Sequence, residues 1–365
     1  MVEQATSDKQ QATEQVLQKA WDGKRIDAEE CLSLFEADLL ELGSVADQCR
    51  KRFHPEEIVT FLIDRNINYT NVCVVRCKFC AFYRNKKDDD TWFFSKEELL
   101  QKIQDLVDIG GTQVLLQGGL HPDITIDYYE DLLRTIHSRF PSIHIHSFSV
   151  AEITHIAKRS HLSIRETLVR LKEAGLVSIP GGGAEILVDR VKQIISPLKE
   201  SSQEWLDLME TAHALKMRTT ATMMFGSVET LAERVEHFQK VRDLQDRTGG
   251  FTAFIPWSFC PTHTELTHLP MPGGEDYLRT LALSRIFFDN IPNIPTGWVT
   301  EGPKVGQIGL SFGANDWGGI LMEERVIAAT GVAYTMTVEQ AVDLIRKAGK
   351  IPAQRNTYYE VLRLF

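Results

Sequence analysis

A (β/α)8 barrel of the TIM type is the fold class predicted for this chain of 365 residues. Three observations predict it. Short apolar segments alternate with helical patterns, the order that a parallel sheet with crossover helices requires. Hydroxyl-x-x-Glu signatures open several of the helices. The stretches richest in Cys, Gly and polar residues fall directly after the apolar segments, where such barrels carry their chemistry.

Taken in order, residues 1–60 form a polar, amphipathic helical preamble. Strands are expected at 67–72, 112–117, 143–148, 176–180, 218–225, 251–257, 293–299 and 307–312. Between them Ser95–Glu98, Ser163–Glu166, Ser201–Glu204 and Thr230–Glu233 each place a hydroxyl three residues before a glutamate. In that spacing the two side chains satisfy each other's otherwise unpaired backbone N–H groups and start a helix. A last helical pattern covers 338–348. The expected organisation is a helical preamble (1–60), the barrel (61–320) and a C-terminal helical extension packed on it (321–365).

Composition narrows the partners. Lys and Arg number 40 against 50 Asp and Glu, a net charge of −10, which gives no support to a nucleic-acid surface. The N-terminal stretch MVEQATSDKQQATEQ has no apolar run of the secretory kind. The longest uncharged segment, 248–264, is broken by Gly249, Gly250, Pro256 and Pro261 and makes no membrane helix. The expectation is a cytoplasmic chain with reduced cysteines, no nucleic-acid partner and no membrane partner; composition says nothing of oligomeric state.

Three of the six cysteines, Cys73, Cys77 and Cys80, fall within CVVRCKFC. An odd number in a reducing compartment argues against disulfides. Arg76 and Lys78 between them argue against three small core side chains. A structural zinc takes four ligands, and neither His54 nor His121 stands at a finger spacing. Thiolates are the usual ligands of a [4Fe-4S] cluster. Three of them leave one iron open to a cofactor or substrate. The alternative is a fourth thiolate from Cys260, which would make the chain a plain electron carrier. Cys31 and Cys49, in the preamble, read as structural.

The spacing C-x3-C-x2-C, with Phe79 before the last cysteine, resembles the radical SAM signature. NYTNVC, CAFYR, LLQGG, PGGGAEILVDRV, TTATMM, QDRTGGFTAFIPWSF, WVTEGPKVGQ and FGAND together resemble the menaquinone-pathway enzymes that act on futalosine derivatives, from about residue 57 onward. NYTN, CAFYR, TTATMM and the WVT before GPK resemble the dehypoxanthine futalosine cyclases (cyclic dehypoxanthinyl futalosine synthases). QGGLHP, with His121, is more similar to the aminofutalosine synthases, and the second subunit of the deazaflavin (FO) synthase is a further relative. Cys260 stands where the cyclases are expected to carry Gln.

The resemblance implies a [4Fe-4S] cluster on Cys73, Cys77 and Cys80, with S-adenosylmethionine (SAM) on the open iron and a flavodoxin or ferredoxin as reductant. It implies that a 5′-deoxyadenosyl radical abstracts the C4′ hydrogen of a small-molecule substrate, dehypoxanthine futalosine. The carbon radical then closes onto the benzoate ring, which must lose a proton and an electron. Gly118 and Gly119 either let the backbone approach the cofactor's amino group or make a tight turn. Ser149 and Tyr83 are expected on the cofactor. Glu185 either accepts from the ribose hydroxyls or is a helix N-terminal acid. PGGGAE lacks both phosphate-loop patterns, and SAM has no phosphate. Phe79 and Phe82 would shield the cluster. The substrate carboxylate needs a donor, for which Ser147, Ser149, Thr300, Lys304 and Asn315 are candidates, with Arg285 left as a surface or interdomain charge. Trp257, Trp298, Phe254 and Met223 are apolar walls or plain core. The base that takes the proton is expected among His121, Asp123, Glu229 and Asp316, with His121 and Asp316 preferred, although a lone His is as a rule structural.

Overall fold

Both faces of a barrel strand are covered, by helices outside and by lining side chains within. The computed structural model describes residues 2–332 and 334–365. Three helices come first: α1 (Val2–Trp21), α2 (Ala28–Ser33) and α3 (Leu39–Phe53). There follow β1 (Ile58–Ile67), α4 (Lys96–Asp108), β2 (Gln113–Leu116), α5 (Ile126–Arg139), β3 (His144–Ile145), α6 (Val150–Ser160), α7 (Ile164–Ala174) and β4 (Ser178–Ile179). Next are α8 (Asp189–Ile195), α9 (Ser202–Ala214), β5 (Arg218–Phe225), α10 (Leu231–Thr248), β6 (Phe251–Ser258) and α11 (Gly274–Phe287). The chain ends with α12 (Trp298–Glu301), α13 (Pro303–Gly309), β7 (Asp316–Leu321), α14 (Val338–Lys347), β8 (Ile351–Arg355) and β9 (Val361–Leu364). α2 and α3 pack on α10 and α11.

The ring closes through parallel pairings alone. β1 pairs with β2 and β2 with β3. A bridge from His146 to Ser178 carries the order to β4, and β4, β5 and β6 pair in turn. Ala253 bridges to Asn293, and Pro295 bridges to Asp316, so the short extended segment 293–295 is a stave between β6 and β7. β7 then pairs back onto β1. The predicted barrel stands, but its first and last staves lie elsewhere. The first is 58–67, so the boundary at residue 60 falls inside it. The last is 316–321, whereas 307–312 is the end of α13 and a turn. The reason is the interior. Leu62, Asp64 and Asn66 alternate inward along β1, and Gln113, Leu115 and Gln117 do so from β2 onward. Polar residues on the inner face hide a strand from an apolar count.

The C-terminal extension also departs from the helical expectation. After α14, β8 pairs parallel with the start of β1, and β9 folds back antiparallel on β8. This hairpin plugs the N-terminal end of the barrel. Arg355 enters the ring and holds the Asp316 carboxylate with two hydrogen bonds of 2.6 and 2.9 Å, both side chains buried. Thr357 Oγ1 donates to Gln113 Oε1 at 2.7 Å, and Tyr358 lies edge-on to His144.

The four predicted Ser/Thr–Glu pairs all close as capping boxes, on α4, α7, α9 and α10. A fifth, Ser149–Glu152, starts α6. Such a cap contributes about 1 kcal/mol.

Candidate active site

At the C-terminal end of β1 the chain leaves the barrel in a long loop. The asparagines of NYTN hold that loop. Asn68 Nδ2 donates to the Gln117 carbonyl at 2.9 Å, and Asn71 accepts from Trp92 N and donates to the Asp90 carbonyl. Trp92 Nε1 donates back to the Asn68 carbonyl. Side-chain amides thus supply the partners that a sheet would give. Inside the loop Arg76 adopts φ +52°, a left-handed turn between Cys73 and Cys77.

Cys73, Cys77 and Cys80 line the mouth of a cavity of about 460 Å³, together with Phe79, Phe82 and Tyr83. Among the described residues no three His, Cys, Asp or Glu side chains converge on a point where one metal ion would sit. The three thiols share one wall, and in a cluster each would take its own iron. Burial pushes the Cys77 and Cys80 thiols up, and cluster binding must offset that cost. Cys260 takes no part. It is buried, lies outside the lining, and its thiol is raised to about 11, chiefly by burial. The fourth thiolate considered from sequence is not there.

Gly118 and Gly119 border the cavity, and close packing explains both. A Cβ on Gly119 would meet the Val72 carbonyl oxygen at 2.3 Å, and one on Gly118 the Tyr69 ring at 2.8 Å. They let the end of the second stave pass the cysteine loop. Gly118 N donates to Glu152, which also accepts from Tyr69 and from Ser149. Ser149 therefore reaches the cavity with its hydroxyl bonded to its own helix cap. Tyr83, at the mouth, donates to Glu265 at 3.2 Å.

Glu185 is buried in the lining at φ +42°, a strained backbone for a side chain of its size. It stands four residues before α8, so it is not that helix's N-terminal acid. Lys199 Nζ donates to Oε1 at 2.7 Å and Lys192 Nζ lies 3.6 Å from Oε2, yet Oε2 has no hydrogen-bond partner among the described residues. Burial works against the Glu185 charge, but the two lysines outweigh it and lower its pKa. A buried, ionised carboxylate with one spare oxygen is built to accept from a ligand hydroxyl. Lys199, missed in the sequence, also lines the cavity and lies over the Phe79 ring. Burial opposes its charge, and Glu185 and Cys77 more than restore it.

The two preferred bases are not in the cavity wall. His121 packs beside Phe93, its Nδ1 accepts from Asp123 N, and its carbonyl receives His155. Asp316 gives both oxygens to Arg355 and also accepts from Thr60 and Gly318. It is a closure residue with no lone pair aimed inward. Asp123 is an exposed partner of Lys86, and Glu229 caps Gly226 and Ser227.

Of the residues offered for a substrate carboxylate, Thr300 and Ser149 line the cavity. Ser147 is spent on Leu116 N, Asn315 on Arg285 and Ile294, and Lys304 is exposed. Arg285 is buried, not a surface charge: it donates to Gly313 O, Pro292 O and Asn315, and burial pulls its pKa down to about 9. Trp257 and Trp298 form walls, while Phe254 and Met223 belong to the core. Asp64, His146, Arg355 and Tyr359 line the cavity unforeseen. Period two along β1 was the available signal for Asp64.

A closed parallel barrel with three thiols on the loop after its first strand is the framework of a radical SAM enzyme. A profile described as "Radical SAM superfamily" matches residues 67–241, and one described as "CofH/MqnC C-terminal region" matches 248–365. Cyclic dehypoxanthine futalosine synthase of Halalkalibacterium halodurans is 47% identical over 96% of this chain and 95% of its own. The enzyme of that name from Streptomyces coelicolor is 45% identical over 95% and 88%. The crystal structure of methylornithine synthase superposes with a TM-score of 0.74 over 93% of this chain and 97% of its own, at 15% identity, a likeness of fold. The chain belongs to the cyclic dehypoxanthine futalosine synthase family of radical SAM enzymes. Its cofactors are accordingly a [4Fe-4S] cluster and SAM. No helix among the described residues is long and apolar enough to cross a membrane.

Proposed function

We propose that this protein converts dehypoxanthine futalosine to its cyclic form. The observation that carries the reading is identity of 47% over 96% of this chain. Cys73, Cys77 and Cys80 would hold the cluster, which with SAM would supply the radical chemistry that removes the C4′ hydrogen of the substrate's sugar.

The chain's own residues bind, orient and exclude water. Glu185 accepts from the cofactor's ribose hydroxyls through its spare oxygen. Gly118 and Gly119 keep the wall thin where the cofactor's amino group lies, and Ser149 and Tyr83 flank it. Trp257 and Trp298 give flat apolar walls for the benzoate ring. The plug at the far end keeps solvent from a carbon radical. The electron comes from a flavodoxin- or ferredoxin-type reductant in the cytoplasm.

Anaerobic turnover with reductant, SAM and dehypoxanthine futalosine, read by mass spectrometry, tests this. The expected result is a product two hydrogens lighter, formed with 5′-deoxyadenosine. 5′-Deoxyadenosine without that product would shift the assignment to the aminofutalosine synthase reaction on an enolpyruvyl benzoate.

A further inference from the structure

Cyclisation leaves the ring carbon that gains the new bond with one hydrogen too many for aromaticity. That hydrogen must leave as a proton, and one electron must leave with it. Three carboxylates line the cavity: Glu185, Glu324 and Asp64. Their surroundings sort them. Glu324 accepts from the backbone N–H groups of Val326, Ile327 and Ala328 and is a turn cap. Glu185 is held ionised by two lysines, which makes it a weak base.

Asp64 differs from both. It sits on β1 between Leu62 and Asn66, all three facing inward, and is 4% exposed. Its Oδ2 receives only a long contact from Gln113, 3.4 Å, and its Oδ1 has no hydrogen-bond partner among the described residues. A purely structural aspartate at this place would take the nearby guanidinium. Arg355 instead spends two donors on Asp316 and a third on the Asn356 carbonyl. On the adjacent stave, β7, stands Gly319, where a Cβ would come within 2.4 Å of Asp64 Oδ1. The missing side chain at Gly319 is what accommodates the unpaired Asp64 oxygen.

We propose that Asp64 is the base of the cyclisation, accepting the ring proton on Oδ1; the proposal rests on the cyclase reading above. The step balances. One hydrogen atom of the substrate goes to 5′-deoxyadenosine, one proton to Asp64, and one electron to an acceptor of the iron–sulfur class, which the enzyme's own reduction step leaves oxidised. Three groups act on Asp64. Burial raises its pKa to about 7, Arg355 and Gln113 pull it down, and Asp316 pushes it up. A carboxylate titrating there is both ionised and basic at neutral pH, the condition under which a general base works best.

The test is Asp64→Asn in the cluster-loaded enzyme. 5′-Deoxyadenosine should still form, while cyclised product falls about a hundredfold and a ring-centred radical accumulates in the paramagnetic resonance spectrum. In the wild type, product per 5′-deoxyadenosine should fall as pH drops below about 7, because the carboxylate becomes protonated; the variant should lack this limb. In the cofactor-free wild type, an infrared band of a buried carboxylic acid should titrate near the same pH and be absent from the variant. The wild-type profile and band need no variant to fold.

An unchanged product ratio in Asp64→Asn overturns the proposal. So does equal loss of 5′-deoxyadenosine and product, which would make Asp64 a positioning residue. If wild-type enzyme cleaves SAM and never cyclises, the cyclase reading fails first. If the wild type cyclises with no acid limb, only the role of Asp64 falls.

Discussion

The two ends of the barrel are bonded in opposite ways. At the N-terminal end Asp316 accepts short hydrogen bonds from Arg355 and Thr60, and Gln113 accepts one from Thr357. At the C-terminal end three thiols share a wall without bonding to each other, and Glu185 keeps a free oxygen. Buried polar groups are as a rule paired, so the first pattern is what a lid needs and the second marks where a ligand completes the structure.

The largest effect expected comes from breaking the open end. Cys73→Ala, Cys77→Ala or Cys80→Ala should each abolish 5′-deoxyadenosine formation and lower bound iron and sulfide, with the barrel's circular dichroism unchanged. Full SAM cleavage by any one of the three would remove the cluster assignment. The thiols carry function and little of the fold, so chemistry should be lost without unfolding.

The closed end predicts the reverse. Arg355→Leu leaves the buried Asp316 carboxylate uncompensated, which costs about 3–5 kcal/mol for a pair of this kind. Replacing both Arg355 and Asp316 with Leu should recover most of that loss, because two apolar side chains leave no stranded charge. Denaturant unfolding of the two variants and the wild type measures it. A single substitution costing under about 1 kcal/mol, the range of an exposed pair, would show that the plug is not held by this bond.

That asymmetry also explains what was legible in the sequence. The three cysteines stand out in the sequence because metal ligation needs fixed residue types at close spacing. The capping boxes could be placed because Ser95–Glu98 and its counterparts act within one helical turn. The plug could not, since Arg355 meets Asp316 across 39 residues and nothing local in IPAQR announces an inward arginine. The first stave was hidden because Asp64 and Asn66 serve the cavity, not the core. His121 misled for a related reason: its place in QGGLHP put it after a strand, yet the chain turns it outward onto Phe93. Arg285 lies in a helical pattern that predicts a surface or interdomain charge; only the fold shows the carbonyls that accept its hydrogen bonds.

The smallest effect belongs to Cys260. It lies just past β6, at the same end as Cys73, Cys77 and Cys80, and differs from them in standing outside the cavity lining. Its Sγ makes one weak contact of 3.9 Å with the Ser258 carbonyl. Burial raises its thiol to about 11. Cys260→Ser keeps the volume nearly constant and retains a donor toward that carbonyl. It should change stability by no more than about 1 kcal/mol and leave iron per chain and SAM cleavage unchanged. A drop in bound iron in this variant would bring a fourth thiolate to the cluster, close the open iron, and erase the contrast between the two ends on which the radical chemistry depends.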